Sequence, residues 1–186
     1  MAQSQHLLHL NIELMDITPV VWRMVVVPDS VTLVQLHHVI QSAMGWMDVH
    51  LHEFEIDGRR YGQPAENFGM QPEMLNERGK RLLKLLGDHK ALSYVYDFGD
   101  YWRHAITVTS VVPMTQPARS ALCIGGENAC PPEDVGGPPG YDDFVKIVRD
   151  PAHEEYEAMT QWCGGAFDPT AFDIHHANML LKYVKV

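Results

Sequence analysis

His50 and His52 stand two residues apart in the alternating stretch His50 to Ile56. On a strand, both imidazoles project from one face, because successive side chains alternate. A third imidazole, His104, is in phase with Trp102 and Ile106 on a second extended stretch. Asp97 and Asp100 precede it in Tyr96-Asp97-Phe98-Gly99-Asp100-Tyr101-Trp102-Arg103-His104. Imidazoles and carboxylates converging from neighbouring strands suit a divalent metal. His50, His52 and His104 are therefore the expected ligand set, and a divalent metal is the one cofactor suggested. The competing reading keeps these histidines at the core edge, bonded to backbone carbonyls, with Asp97 and Asp100 capping a turn through Gly99.

A second constellation is Ala129-Cys130-Pro131-Pro132-Glu133-Asp134-Val135-Gly136-Gly137, running on to Gly140-Tyr141. Two prolines stiffen the chain, and the glycines admit backbone angles closed to other residues. Glu133 and Asp134 are then held out rigidly, opposite Arg23, Arg103 or His104. The binding site expected from both segments comprises Asp97, Asp100, Trp102, His104, Glu133, Asp134, Arg23 and Tyr141. The plainer alternative is a cover over the sheet edge, with Glu133 or Asp134 capping a helix near Tyr141.

The elements that must position these groups are legible from periodicity. Leu8, Leu10, Ile12 and Leu14 fall on one face of a strand, a turn follows at Asp16-Ile17-Thr18-Pro19, and Val20 to Val27 is β-branched, so the two form a hairpin. Thr32 to Met44 reads as a helix, with Thr32 and Gln35 as a capping box and Gly45 at the left-handed end position. Short strands follow at His50 to Ile56 and Arg60-Tyr61, then a polar loop from Gly62 to Glu77. Arg81 to Leu86 is a short strand or helical turn. Ser93 to Phe98 and Trp102 to Val112 are two strands joined at Gly99-Asp100. Residues 113–140 have no period and read as a long Pro/Gly loop. Helices are expected at Tyr141 to Arg149, after Asp150-Pro151, and from Asp168-Pro169 through Tyr183.

This order gives an α+β fold: a β-hairpin, a helix and further mostly antiparallel strands in a β-grasp-like sheet, with C-terminal helices. A single domain spans 1–186. It has a sheet and helix in 5–112, the loop in 113–140 and a helical part in 141–186.

Composition narrows the function classes. The net charge is −10, with 14 basic against 24 acidic residues and no long basic run. Direct binding to a nucleic-acid backbone needs a basic surface, so none is expected. The start shows no basic region followed by an apolar one, and no run of about 18 apolar residues exists. A cytoplasmic location with no membrane partner is expected. Cys123, Cys130 and Cys163 are odd in number and lack Cys-x-x-Cys spacing, so reduced thiols are the default.

Several motifs together resemble one family. They are Tyr96-Asp97-Phe98-Gly99-Asp100 with Trp102 and His104, Gly125-Gly126, and Pro131-Pro132-Glu133-Asp134-Val135-Gly136-Gly137 with Gly140-Tyr141. Trp22-Arg23, Leu36-His37, Met44-Gly45-Trp46, His50-Leu51-His52-Glu53-Phe54, Trp162 and Phe167-Asp168-Pro169 join them. This pattern resembles the plasmid Ri open-reading-frame-three-like family, which includes the insertion-element passenger protein called TnpR. The resemblance implies a bacterial or archaeal α+β domain loosely associated with mobile elements. It implies no reaction, cofactor or substrate.

The expected function is a non-catalytic module binding a protein or peptide, with a basic one suiting the acidic chain. The rival is a metal-dependent, hydrolase-like enzyme using a His/Asp/Glu cluster. A third reading is a transposition accessory protein that acts on DNA through a partner.

Overall fold

Alternating burial along β1 (His6–Leu14) and β2 (Val21–Pro28) fixes the start of the sheet: Leu8, Leu10, Ile12 and Leu14 are buried, as are Val21, Val25 and Val27. The structure, a computed structural model, describes residues 6–63, 74–116, 118 and 120–186. α1 (Leu33–Met44) begins at Thr32, whose side chain accepts from the Gln35 amide while Gln35 answers to the Thr32 amide. It ends at Gly45, in the left-handed region at φ 92°. Leu33, Leu36, Val39, Ile40, Ala43 and Met44 seal this helix onto the core. Each of the larger side chains contributes about 1.5–3 kcal/mol by leaving water.

The remaining strands are β3 (His52–Ile56), β4 (Arg59–Gly62), β5 (Leu75–Asn76), β6 (Ala91–Tyr96), β7 (Trp102–Pro113) and β8 (Leu122–Glu127). α2 is Leu82–Leu86, α3 Gly137–Val148, α4 Tyr156–Trp162 and α5 Ile174–Leu181. The strands form one sheet in the order β5-β4-β3-β6-β7-β1-β2-β8. Every neighbouring pair is antiparallel except β4 with β5. One core joins the sheet, α1, α2, Tyr141, Phe144 and Val145 of α3, and Ala177 and Leu181 of α5. None of the helices among the described residues is long and apolar enough to cross a membrane.

The α+β class with C-terminal helices therefore holds, but the β-grasp arrangement is not confirmed. β3 does not return to the opening hairpin; it pairs with β4 and β6, and β7 inserts beside β1. The 12-residue β7 is longer than the 9-residue β1 and covers its free edge from His6 to Leu14, which a short strand cannot do.

The 113–140 segment is not all loop. β8 lies within it and closes the edge of β2, its pattern hidden from periodicity by Gly125-Gly126. α3 starts four residues before Tyr141, with the prolines of Gly137-Pro138-Pro139 in its first turn, where the missing N–H costs nothing. The Asp150-Pro151 start is displaced as well, since α4 begins at Tyr156. Arg81 to Leu86 resolves as the helical turn α2, and α5 is capped by Asp173. Part of the expected 62–77 loop, 64–73, lies outside the described residues.

Candidate functional site

The loop between α1 and β3 passes over the end of the sheet where β6 turns into β7. Asp97, at φ 58°, donates its amide to Leu51 O at 2.8 Å and accepts from the Tyr101 amide at 2.7 Å. Its Oδ1 accepts from the Gly99 amide at 2.8 Å, the turn cap expected of this residue. Its other oxygen, Oδ2, lies 3.7 Å from His50 Nε2.

Glu133 approaches from the Pro-Pro loop. Its Oε1 accepts from the Met47 amide at 2.9 Å and from the Tyr96 hydroxyl at 3.1 Å, while Tyr96 itself accepts from the Val49 amide. Burial first, and then the Glu133 carboxylate, push the Tyr96 hydroxyl up, so it stays a donor. The free oxygen, Oε2, lies 3.9 Å from His50 Nε2, and Asp134 Oδ1 lies 3.1 Å from it. His50 Nε2 and Glu133 Oε2 are both buried and make no hydrogen bond with a described residue. One imidazole nitrogen thus faces three carboxylates. Asp97 and Glu133 are deeply set, and Asp134 is open to water at the mouth.

The loop is held in place from several sides. Trp46 Nε1 donates to Pro131 O at 3.0 Å, and the Trp46 ring stacks on Tyr96. Asp100 Oδ2 accepts from the Gly136 amide. At Gly137 a Cβ would meet Asp100 O at 2.4 Å, and at Gly140 one would meet Val135 O at 2.1 Å. A side chain at Gly137 would push the loop off the β6–β7 turn, and one at Gly140 would break the loop's own packing against Val135. The two opening motifs therefore pack against each other.

The other expected residues do different work. β3 starts at His52, so His50 is off the strand and the two histidines part. His52 turns inward, 3.1 Å from the buried Glu77 carboxylate and stacked on His37 at 3.5 Å. His104 is fully buried, with Nδ1 3.0 Å from Trp102 O and its ring edge-on to Trp46. Burial lowers its pKa to about 4, so it is neutral. The metal set His50, His52 and His104 therefore does not assemble. Among the described residues, the groups whose ligand atoms lie within 4.8 Å of one another are His50, Asp97, Asp134 and His37, His38, Asp48.

Arg23 does not face the acidic loop either. Its guanidinium is buried and donates to four carbonyls, those of Ala43, Trp22, Glu127 and Asn128, with the Phe172 ring 3.9 Å above it. Arg103 is taken by Asp16. Trp102 and Tyr141 are core residues. Burial raises the Tyr141 hydroxyl to about 12, and burial likewise pushes the Cys130 thiol up, which argues against thiolate chemistry there.

With this geometry in view, comparison with known proteins gives a consistent answer. Residues 6–176 match the family described as plasmid pRiA4b ORF-3-like protein. The chain belongs to that family. It is 38% identical over 172 residues to the uncharacterized protein y4hQ of Sinorhizobium fredii (strain NBRC 101917 / NGR234), covering 91% of this chain and 87% of that one. It is also similar to the crystal structure of MM3350, a protein of unknown function from Methanosarcina mazei Go1. That similarity has a TM-score of 0.84 at 33% identity, covering 93% of this chain and 98% of that one.

In this member of the plasmid pRiA4b ORF-3-like family, sequence reading passed over a second polar cluster. His37 Nε2 lies 2.6 Å from Asp48 Oδ1, and its Nδ1 lies 2.8 Å from the Tyr94 hydroxyl. Burial and the neighbouring His52 bring its pKa down to about 4. His38 Nδ1 lies 3.3 Å from Asp48 Oδ2. A signal was present: His37 is four residues after Leu33 and three before Ile40, on the buried stripe of α1. Glu77, beside the polar loop, carried no such signal.

Proposed function

We propose that this chain binds one divalent metal ion through His50, Asp97 and Asp134, with Glu133 Oε2, 3.9 Å from His50 Nε2, drawn in as a fourth ligand, and that the metal site is its functional centre. The observation that carries the reading is the pair of buried atoms, His50 Nε2 and Glu133 Oε2, that make no hydrogen bond with a described residue and face each other within a ring of carboxylates, Asp134 Oδ1 being 3.1 Å from the imidazole nitrogen. Burying polar atoms without partners costs about 1–3 kcal/mol each, and a cation between them removes that cost. One nitrogen with carboxylate oxygens suits Mn²⁺, Fe²⁺ or Zn²⁺. The exposed Asp134 side leaves coordination positions to water, and a metal-bound water is a nucleophile near neutral pH. The reading therefore extends to hydrolase-like chemistry.

A non-catalytic protein-binding role is supported by a separate observation. Met47, Val49, Leu51 and Phe98 are exposed beside the site, although all four are apolar.

Metal content measured on purified protein after loading with Mn²⁺ or Zn²⁺, with a thermal shift for each, tests the metal reading. One equivalent in the native chain and none in His50→Ala is expected. No stoichiometric metal in the native chain sinks it. Ester, phosphoester and peptide substrates offered to the loaded protein separate the two roles. Turnover lost in His50→Ala supports hydrolysis, and metal binding without turnover supports the interaction module.

A further inference from the structure

A groove of about 400 Å³ opens beside the cluster, between the 134–140 loop, α3 and α4, and Asp134 belongs to both. Its floor is apolar: Phe144, buried, lies edge-on to Trp162 at 5.9 Å, with Met159 and Ile147 alongside. Trp162 remains 47% exposed on α4, a helix with no buried residue. The rim is acidic, with Asp134, Asp143 and Glu155, and none of the lining residues is Lys, Arg or His. Asp143 is answered by Lys146 from outside the groove. The Glu155 carboxylate has no partner among the described residues.

We infer that this groove binds a peptide segment through a Lys or Arg side chain. This goes beyond the metal reading, since of the proposed ligands only Asp134 lines the groove. An aromatic face next to carboxylates is complementary to a cation on an aliphatic stem: the stem lies on Trp162 and Met159, and the charge reaches Glu155 or Asp134. Charge complementarity points the same way, since the chain carries −10 overall. A divalent ion against three carboxylates still leaves one negative charge, so metal loading does not reverse the preference.

The test is calorimetric titration of the full chain, chelator-treated and metal-loaded in parallel, with a capped hexapeptide carrying one Arg between leucines. Binding is expected in both states. It should weaken at least fivefold when the Arg is replaced by Gln, about tenfold in Trp162→Ala and several-fold in Glu155→Gln. Both substituted residues sit at the surface, and unchanged melting curves confirm that the variants fold. Equal affinity for the Arg and Gln peptides overturns the inference, as does no binding in either state. Tighter binding of free spermidine than of the peptide overturns the peptide assignment. Peptide binding by a chain that takes up no metal upholds the groove while removing the metal reading, so the two can fail separately.

Discussion

His50 Nε2 lies 3.9 Å from Glu133 Oε2, and neither atom, though both are buried, has a hydrogen-bond partner among the described residues. Eighty-odd residues separate them in the chain. The fold brings them together through Trp46, which donates to Pro131 O, and through Glu133 Oε1, which accepts from Met47 and Tyr96. Half of the Glu133 carboxylate builds the loop and the other half is left over. That leftover oxygen is what the proposed metal site draws on.

Glu133→Gln is the sharpest probe of this division. The amide oxygen can keep the Met47 and Tyr96 bonds, while the NH₂ presents donors where a cation would need an acceptor. Mn²⁺ or Zn²⁺ affinity is expected to fall at least tenfold, with the metal-free chain as stable as before. Titration calorimetry and a melting curve check both halves. Unchanged metal affinity would remove Glu133 from the ligand set.

Arg23 is a structural cation, and Arg23→Lys should show it. Its planar fork reaches Ala43 at the end of α1, Trp22 on its own strand, and Glu127 and Asn128 at the end of β8. A lysine offers a single ammonium and cannot span these carbonyls. A loss of about 2–3 kcal/mol is expected from carbonyls left unsatisfied in the interior, with faster amide exchange along β8. A urea midpoint within error of the native one would contradict this account.

Acid should destabilise the fold earlier than carboxylate titration alone requires. His37 and His104 are held near pKa 4 in the folded chain, chiefly by burial, against ~6.5 when unfolded. As pH falls from ~6.5 towards 4, the unfolded chain takes up these protons first, so stability rises with pH across that window and is lost on acidification. Each buried imidazole contributes at most on the order of 3 kcal/mol to the loss. His104→Phe removes one of the two titrations and should flatten the dependence of unfolding free energy on pH between 4.5 and 6.5. A slope identical to the native one would show that His104 does not carry it.

Much of the architecture was written in local pattern. The β1–β2 hairpin, the capping box at Thr32, the left-handed Gly45, the turn cap at Asp97 and the long strand of β7 follow from alternation, helical period and cap chemistry, which act over a few residues. That Asp97, Glu133 and Asp134 stand on constrained backbone was also legible, because Pro-Pro-Glu-Asp and Asp-Phe-Gly-Asp place carboxylates beside prolines and a tight glycine turn. Other features depended on partners distant in sequence. β8 is a strand because β2 has a free edge to offer, and its two glycines hide it from any propensity. The pairing of His50 with the acidic loop, the withdrawal of His52 to Glu77 and of His104 beneath Trp46, and the capture of Arg23 by backbone carbonyls depend on where α1 ends and where the β6–β7 turn lies. The sequence determined which residues could do chemistry. The tertiary structure decided which partner each of them met, because a buried polar group takes whichever partner the packing brings within hydrogen-bond reach, and at His104 Nε2 the packing brings none among the described residues.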